Sequence, residues 1–177
     1  RGSGELLALA DQVRSGDPGN VEAQAARLYW SRTLGRGVGR QPAAGQLIGA
    51  NACLDYGYAV LRGHLMRAVL AAGLAPALGV FHRGRGNAFA LADDLIEPFR
   101  PAIDEVALPL PATASPSDRE VKQLLVAAAS QRFDADGHGI PAVAEALAQS
   151  FGRYIEGDID RLQVVSWQGP SRVGVGD

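Results

Sequence analysis

The sequence has 177 residues, 47% of them hydrophobic and 20% charged, and carries a formal net charge of −2 at pH 7. This composition argues against a disordered chain, and the charge excludes a global attraction to nucleic acid or to an anionic membrane. The single cysteine, Cys53, excludes an internal disulfide and fits a reducing compartment. No apolar run reaches the roughly 20 residues that span a bilayer. We therefore expect a soluble protein with a sizeable core and no membrane association.

Apolar residues recur at helical spacing along most of the chain, and strand-like segments are nearly absent. We therefore predict an all-α fold, a multi-helix bundle. In chain order, the predicted helices span residues 5–14, 21–33, 46–72, a segment from 91 that Pro98 kinks or ends, 117–133 and 141–156. Asn20 is the predicted N-cap of the second helix, and Ser117 and Glu120 form a predicted capping box. The segment after residue 161 has strand-like content and then becomes rich in glycine.

The predicted domain organisation has three parts. Residues 1–16 form a partial helical lead-in, and the opening "RGSG", which has no initiator Met, is expected to be a cloning scar or an internal cut in a longer protein. Residues 17–160 form the main helical domain, and residues 161–177 form a C-terminal tail. No internal repeat is found.

Candidate chemistry is concentrated in two segments, "NVEAQAARLYW" and "FHRGRGNAFALADDLIEPFRP". Glu22 lies in the first turn of a predicted helix, where an exposed glutamate complements the helix dipole, and taken alone that structural role is favoured. His82 lies at the mouth of a glycine-rich turn. Asp94 and Glu97 are three residues apart, so on a helix both carboxylates face the same side. Asp93 is expected to point away from them, towards solvent.

Two carboxylates and one imidazole suit Mg²⁺ or Mn²⁺, which prefer oxygen and tolerate nitrogen. If these groups hold a metal, the nearby Arg83, Arg85 and Arg100 would steady phosphates around it, as would Arg62 on the long helix. Taken alone, the second segment is also typical of a charged turn that leads into an amphipathic helix, and this simpler interpretation is slightly favoured. Elsewhere, "FDADGHG" is similar to the start of a calcium loop, but we do not assign it as a metal site.

Several segments taken together resemble one family. "DPGNVEAQAARLYW", "NACLDYGYAVLRG", "GLAPALGVFHRGRGNAFALADDLIEPFRPAID" and "LAQSF" stand in the order seen in Cas1, the integrase of CRISPR adaptation, and "DLIEPFRP" looks most like the Cas1 of type II systems. The resemblance implies that residues 17–160 are a helical C-terminal catalytic domain that binds Mg²⁺ or Mn²⁺ through Glu22, His82 and Glu97, with Asp94 in support. Nothing in the sequence corresponds to the β-rich N-terminal domain of that family.

The resemblance also implies a reaction and partners. The 3′-hydroxyl of a short prespacer DNA would attack a phosphodiester at the edge of a CRISPR repeat, with the three metal ligands as catalytic groups and the arginines at 83, 85 and 100 on DNA phosphates. The expected partners are DNA, Cas2 and a second copy of the full-length protein, in the prokaryotic cytoplasm. Two alternatives stay open: a catalytically inert helical fragment that binds DNA or protein, and a metal-dependent nuclease that acts on branched DNA.

Overall fold

The computed structural model describes residues 3–14, 16–34, 39–42, 45–82, 84, 86–167 and 169. Within these residues the chain forms seven α-helices and one 3-10 turn: α1 (Ser3–Ala10), α2 (Val21–Thr33), α3 (Gly49–Ala71), α4 (Ala90–Leu95), the 3-10 turn (Glu97–Phe99), α5 (Arg100–Ala107), α6 (Arg119–Ala128) and α7 (Ile140–Glu156). The same residues contain no strand, only an isolated antiparallel bridge between Arg132 and Gly139. The all-α prediction is therefore confirmed.

The chain divides into two compact units, and the first, Arg1–Gln46, contains α1 and α2 packed against each other. Arg32 of α2 forms an ion pair with Glu5 of α1. Val21 is the one buried residue among the described positions of this unit, so the unit has a very small core. The predicted domain boundaries at residues 16 and 160 stay predictions, and the division by packing lies between Gln46 and Leu47.

The start of α2 is capped by a residue that the sequence did not single out. The two carboxylate oxygens of Asp17 accept the backbone N–H groups of Val21 at 2.8 Å and of Glu22 at 3.0 Å. Asn20 occupies the N-cap position in a left-handed conformation and makes no side-chain cap bond. The predicted N-cap position of Asn20 is therefore confirmed, but the side chain that accepts the first free N–H groups of the helix is that of Asp17.

The second unit, Leu47–Asp177, is built around α3, which packs against α4, α5, α6 and α7. The buried face of α3 carries side chains that are 0% exposed, namely Cys53, Leu54, Leu61, Leu65 and Val69. A Cβ at Gly57 would lie 2.5 Å from Cγ2 of Ile103, so glycine is what lets α5 approach α3 this closely. Next to it, the Tyr58 hydroxyl donates a hydrogen bond to the buried Asp104 of α5. The helix that supports the candidate site is therefore held from several sides.

Some helix ends differ from the predictions, and tertiary contacts explain two of the differences. The helix α3 begins at Gly49 rather than near residue 46, because the Gly49 N–H donates to the carbonyl of Ala114 at 2.7 Å instead of continuing a helix. The helix α6 ends at Ala128 rather than at Phe133, because the Phe133 N–H donates to the carbonyl of His138 at 2.8 Å and closes a tight loop. The helix α1 lies at Ser3–Ala10 rather than at residues 5–14.

The Ser117–Glu120 capping box is not formed. Asp118 is the N-cap of α6, and no side chain caps that helix.

The described tail residues form no strand: Trp167 instead stacks on Phe133, with ring centroids 5.5 Å apart, and donates from Nε1 to Glu105 at 3.0 Å. No helix in the described part of the chain is long and apolar enough to cross a membrane.

Candidate functional site

The centre of the candidate site is a contact between His82, which follows α3, and Asp94 in α4. Nδ1 of His82 lies 2.6 Å from Oδ1 of Asp94. The aspartate side chain is 8% exposed and the histidine side chain 46% exposed, so a buried carboxylate holds an accessible ring. Since a carboxylate faces Nδ1, that nitrogen carries a proton, and Nε2 is the ring nitrogen that can bind a metal.

Asp94 also holds the backbone that carries His82. Its Oδ2 accepts the backbone N–H groups of Val80 at 2.5 Å and Phe81 at 3.1 Å, and its Oδ1 accepts the N–H of His82 at 3.1 Å. Hydrogen bonds to an ionised carboxylate are stronger than neutral ones. One side chain therefore fixes both the backbone position of His82 and the orientation of its ring.

Close packing at Gly79, a residue that the sequence analysis did not single out, makes this arrangement possible. A Cβ at Gly79 would lie 2.3 Å from the carbonyl oxygen of His82, 2.8 Å from Cβ of Ala90 and 2.9 Å from Oδ2 of Asp94. Any side chain at this position would displace the carboxylate or the segment that it holds. A lone glycine before "VFH" is the only sequence signal for this requirement, and it is a weak one.

Glu97, the second predicted carboxylate ligand, lies just after α4. The helix ends at Leu95, and Glu97 begins the 3-10 turn with Pro98 at its second position. The expected end of the helix near Pro98 is confirmed, since proline has no N–H with which to continue it. Asp94 and Glu97 therefore do not share one α-helix, and the prediction that their carboxylates face the same side stays a prediction. The Glu97 side chain is 47% exposed and lies 3.1 Å from Nη2 of Arg100.

Of the arginines predicted to contact phosphates, Arg62 and Arg100 lie within the described residues, and Arg83 and Arg85 do not. Arg100 begins α5. Its guanidinium carbon lies 5.1 Å from the centroid of the Tyr58 ring. Its Nε is buried and has no hydrogen-bond partner among the described residues. The Arg100 side chain is 38% exposed, and its outer end reaches Glu97.

Asp93 does not face solvent, so its predicted orientation is wrong. Its Oδ1 lies 2.5 Å from Nε of Arg62, and its Oδ2 lies 3.0 Å from Nη2 of the same arginine. Asn87 donates to Oδ2 at 2.7 Å. The spacing correctly separates Asp93 from Asp94, because adjacent helical positions point about 100° apart. The spacing could not reveal that Asp93 has a cationic partner on α3.

Glu22 belongs to the other compact unit. It is exposed at the second position of α2, and its backbone N–H is held by Asp17. His82, Asp94 and Glu97 all lie in the unit that begins at Leu47. The structure therefore brings His82 and Asp94 together, places Glu97 three residues beyond Asp94, and leaves the approach of Glu22 to them a prediction.

A second group of possible metal ligands lies in the loop before α7. Asp134, Asp136 and His138 each offer one ligand atom, and these atoms lie within 4.8 Å of one another. Nδ1 of His138 also lies 2.8 Å from Oδ2 of Asp134, and this hydrogen bond, together with the charges of both aspartates, raises the pKa of the imidazole. Asp134 and His138 border a cavity of about 370 Å³ whose walls include Phe99 and Leu147. Contrary to the prediction from the sequence, this loop thus gathers a possible ligand set, and the twelfth position counted from Asp134 is Glu145, the residue type that closes a calcium loop.

Comparison with known proteins gives concordant results. Residues 19–120, more than half of the chain, match the family model described as CRISPR associated protein Cas1. The chain is 50% identical over 99 residues to a CRISPR-associated endonuclease Cas1 of Neisseria meningitidis, which covers 56% of this chain and 31% of that protein. It is 28% identical over 154 residues to a CRISPR-associated endonuclease Cas1 of Pyrobaculum aerophilum, which covers 84% of this chain and 52% of that protein.

A solved structure of a casposase bound to integration product has a similar fold. It superimposes with a TM-score of 0.72 at 18% sequence identity, and the match covers 90% of this chain and 53% of that one. At this identity the likeness concerns the fold. The chain spans about a third of the length of the Neisseria meningitidis relative and about half of that of the Pyrobaculum aerophilum relative.

Proposed function

Because the chain belongs to the Cas1 family, we propose that it is the helical catalytic part of a metal-dependent DNA integrase that inserts short prespacer DNA into a CRISPR array. The observation that carries the proposal is the contact between His82 and Asp94. It presents a half-exposed imidazole whose Nε2 is available for a ligand, on a backbone that a buried carboxylate holds in place. Histidine ligands of metals in proteins are usually oriented in this way.

The donor set fits a divalent cation. His82 would contribute an imidazole nitrogen, and Glu22 and Glu97 would each contribute a carboxylate oxygen, a combination that suits Mn²⁺ or Mg²⁺. Both glutamates are exposed, so neither pays a large desolvation cost before a cation arrives. That Glu22 approaches from the first unit is part of the proposal. When bound, the cation supplies positive charge at the scissile phosphate and lowers the pKa of the attacking hydroxyl.

The proposed reaction exchanges one phosphodiester for another. The 3′-oxygen of the prespacer forms a bond to phosphorus while the bond from phosphorus to the 3′-oxygen of the target strand breaks. A proton leaves the attacking hydroxyl and one arrives on the departing oxygen, so no protein nucleophile and no external energy source are needed. Arg83, Arg85 and Arg100 would position backbone phosphates without reading bases, and Asp94 would keep the His82 ring in its ligand orientation.

Partners follow from the same proposal. The prespacer and the CRISPR repeat are the DNA substrates, and Cas2 and a second copy of the full-length protein are the protein partners. Since the net charge of the chain is −2, affinity for DNA has to come from local groups such as the three arginines rather than from the whole surface.

A nuclease acting on branched DNA is the second candidate, and the similarity to the CRISPR-associated endonuclease Cas1 of Neisseria meningitidis favours a nuclease activity. The same three ligands would serve, with water in place of the 3′-hydroxyl as the nucleophile. The inert fragment is the third possibility, and the following experiment separates it from the other two.

Binding of Mn²⁺ is measured by calorimetry in an Asp136→Asn background, which removes one ligand from the loop before α7 and so isolates the site at His82. We expect Glu22→Ala, His82→Ala and Glu97→Ala each to weaken binding at least roughly tenfold. Glu120→Ala is the matched control, because Glu120, like Glu22, is an exposed glutamate in the first turn of a helix. Equal Mn²⁺ binding in all four variants and in the parent would mean that Glu22, His82 and Glu97 hold no metal, and would favour the inert fragment.

Strand transfer is then assayed in the full-length protein with Cas2, prespacer DNA and a repeat-containing target, beside hydrolysis of a branched DNA. An integrase joins the prespacer to the target and loses this activity in the three ligand variants. A nuclease cuts the branched DNA in the same metal-dependent way and joins nothing.

A further inference from the structure

Arg62 of α3 contacts two parts of the segment around the start of α4, Asn87 in the preceding loop and Asp93 in the helix. Its guanidinium forms two parallel contacts with Asp93, Nε to Oδ1 at 2.5 Å and Nη2 to Oδ2 at 3.0 Å. The Arg62 side chain is 37% exposed and that of Asp93 is 22% exposed, so the pair is partly shielded from water. Paired contacts between a guanidinium and a carboxylate define both distance and orientation.

Asn87 extends this contact into the loop. Its Oδ1 accepts from Nη2 of Arg62 at 3.2 Å and from the backbone N–H of Phe89 at 3.1 Å, while its Nδ2 donates to Oδ2 of Asp93 at 2.7 Å. The Arg62 guanidinium carbon also lies 5.7 Å from the centroid of the Phe89 ring. One arginine on α3 therefore fixes the last residues of the loop and the first turn of α4 together.

The pair is ionised under ordinary conditions. Burial by itself pushes the pKa of Asp93 up, but the hydrogen bonds from Arg62 and Asn87 outweigh it, so the pKa of this carboxyl lies below its usual value. The hydrogen bond to Asp93 raises the pKa of the Arg62 guanidinium in turn. The contact is thus a charge-assisted one that neutral substitutes would weaken.

Asp93 and Asp94 are adjacent on α4 and hold different structures. The carboxylate of Asp93 is bound to α3 through Arg62, whereas that of Asp94 holds the N–H groups of residues 80–82 and the His82 ring. Any shift of the first turn of α4 would move both carboxylates, because they share one stretch of helical backbone. The geometry of Asp94, and with it that of His82, is therefore anchored on α3.

We propose that Arg62 is a positioning residue for His82, which acts through Asp93 and Asn87 to fix the helix turn that carries Asp94. The role of Arg62 depends on the proposed function in one respect only, namely that the residue it positions is a metal ligand. The role requires arginine, because the single ammonium of lysine cannot make both contacts to Asp93 and also reach Asn87.

The test compares Arg62→Lys with Arg67→Lys in this chain. Arg67 is the matched control, since it lies on the same helix and its Nη2 is 3.4 Å from Nδ1 of His64, away from Asp93. The chain has three histidines, so the ¹⁵N NMR signals of the His82 ring can be assigned by substituting each in turn. We expect Arg62→Lys to shift the population of the Nδ1-protonated ring of His82 and to weaken Mn²⁺ binding about tenfold, and Arg67→Lys to change neither.

Asp93→Asn provides a second route to the same answer and should reproduce the Arg62→Lys shift. The double variant should be no worse than either single one, because both changes remove one interaction. Unchanged His82 signals in Arg62→Lys, a loss of thermal stability with no change in those signals, or additive effects in the double variant would each overturn the proposal. If the parent chain binds no Mn²⁺ at His82, the proposed function fails, and the NMR comparison still decides the role of Arg62.

Discussion

Two histidine–aspartate pairs in this chain have nearly the same local geometry and differ in what else the aspartate holds. The Nδ1–Oδ distance is 2.6 Å for His82 and Asp94 and 2.8 Å for His138 and Asp134. In both pairs the aspartate also accepts the backbone N–H of its own histidine, at 3.1 Å and 2.8 Å respectively. Since His138 and Asp134 also belong to a group of possible metal ligands, the histidine–carboxylate contact alone does not distinguish the two pairs.

The difference lies in the separation of the partners along the chain. Asp134 and His138 are four residues apart, so the closing of one loop makes their contact. Asp94 and His82 are twelve residues apart, and Asp94 also holds two further N–H groups in the segment before the histidine. The contact between His82 and Asp94 depends on how α3 and α4 pack. Substitutions in these two helices should therefore disturb it and leave the contact between His138 and Asp134 unchanged.

The largest expected effect that distinguishes the two pairs comes from Gly79→Ala. The added Cβ would meet the His82 carbonyl oxygen at 2.3 Å and the Asp94 carboxylate at 2.9 Å, so the segment that carries His82 has to move. We expect strand transfer by the full-length protein to fall roughly 100-fold, as displacement of a catalytic group by about 1 Å can cause.

Gly84→Ala is the control for this change, because a Cβ at Gly84 would meet nothing within 4 Å. Its strand-transfer rate should equal that of the parent protein. An active Gly79→Ala variant would mean that the position of His82 tolerates displacement, and the contrast between the two pairs would lose its functional meaning.

The second prediction compares the substitution of Asp94 with that of Asp134. Asp94→Asn removes the charge that holds three N–H groups and the His82 ring, and we expect the free energy of unfolding to fall by about 2 kcal/mol. Mn²⁺ binding at His82 should weaken at least roughly tenfold. Asp134→Asn should leave strand transfer unchanged, because its partner is outside the proposed site. The assignment is contradicted if chemical denaturation and Mn²⁺ calorimetry give the two variants the same profile.

The sequence predicted most of the helical architecture because its apolar spacing is regular. The bounds of α2 agree with the prediction, and those of α7 agree to within one residue. The error at the start of α3 comes from a backbone hydrogen bond to the distant Ala114, which no local pattern contains, and the error at the end of α6 comes from the tight loop that the hydrogen bond between Phe133 and His138 closes. Asp17 was missed for another reason: it lies four residues before Val21, outside the N-cap position that the local pattern assigns to Asn20.

For the candidate site, residue types and spacings could be read from the sequence, but the partners of each side chain could not. It separated Asp93 from Asp94 by helical angle, yet the partner of Asp93 is Arg62, 31 residues earlier on another helix. The steric role of Gly79 depends on three atoms that meet only in the folded chain. The approach of Glu22 to His82 and Glu97 stays a prediction, and it is the part of the site that the metal-binding experiment tests most directly.

The smallest effect concerns the titration of the histidines outside the proposed site. The hydrogen bond and charge of Asp134 raise the pKa of His138, whereas burial and the nearby charge of Arg67 lower the pKa of His64. A free histidine has a pKa near 6.5. In an NMR titration His64 should therefore lose its proton at a lower pH than a free histidine does, and His138 at a higher pH.

The two shifts have opposite consequences for stability. Because the folded pKa of His138 is raised, its stabilising contribution is fully present below about pH 6.5 and is lost as the pH rises through the folded pKa. Because the folded pKa of His64 is lowered, its contribution is lost instead as the pH falls below about 6.5. Asp134→Asn should return His138 towards its ordinary pKa and leave His64 unchanged. If His138 titrates identically in that variant, the 2.8 Å contact does not persist in solution, and the local pair cannot serve as the reference against which the His82 pair is judged.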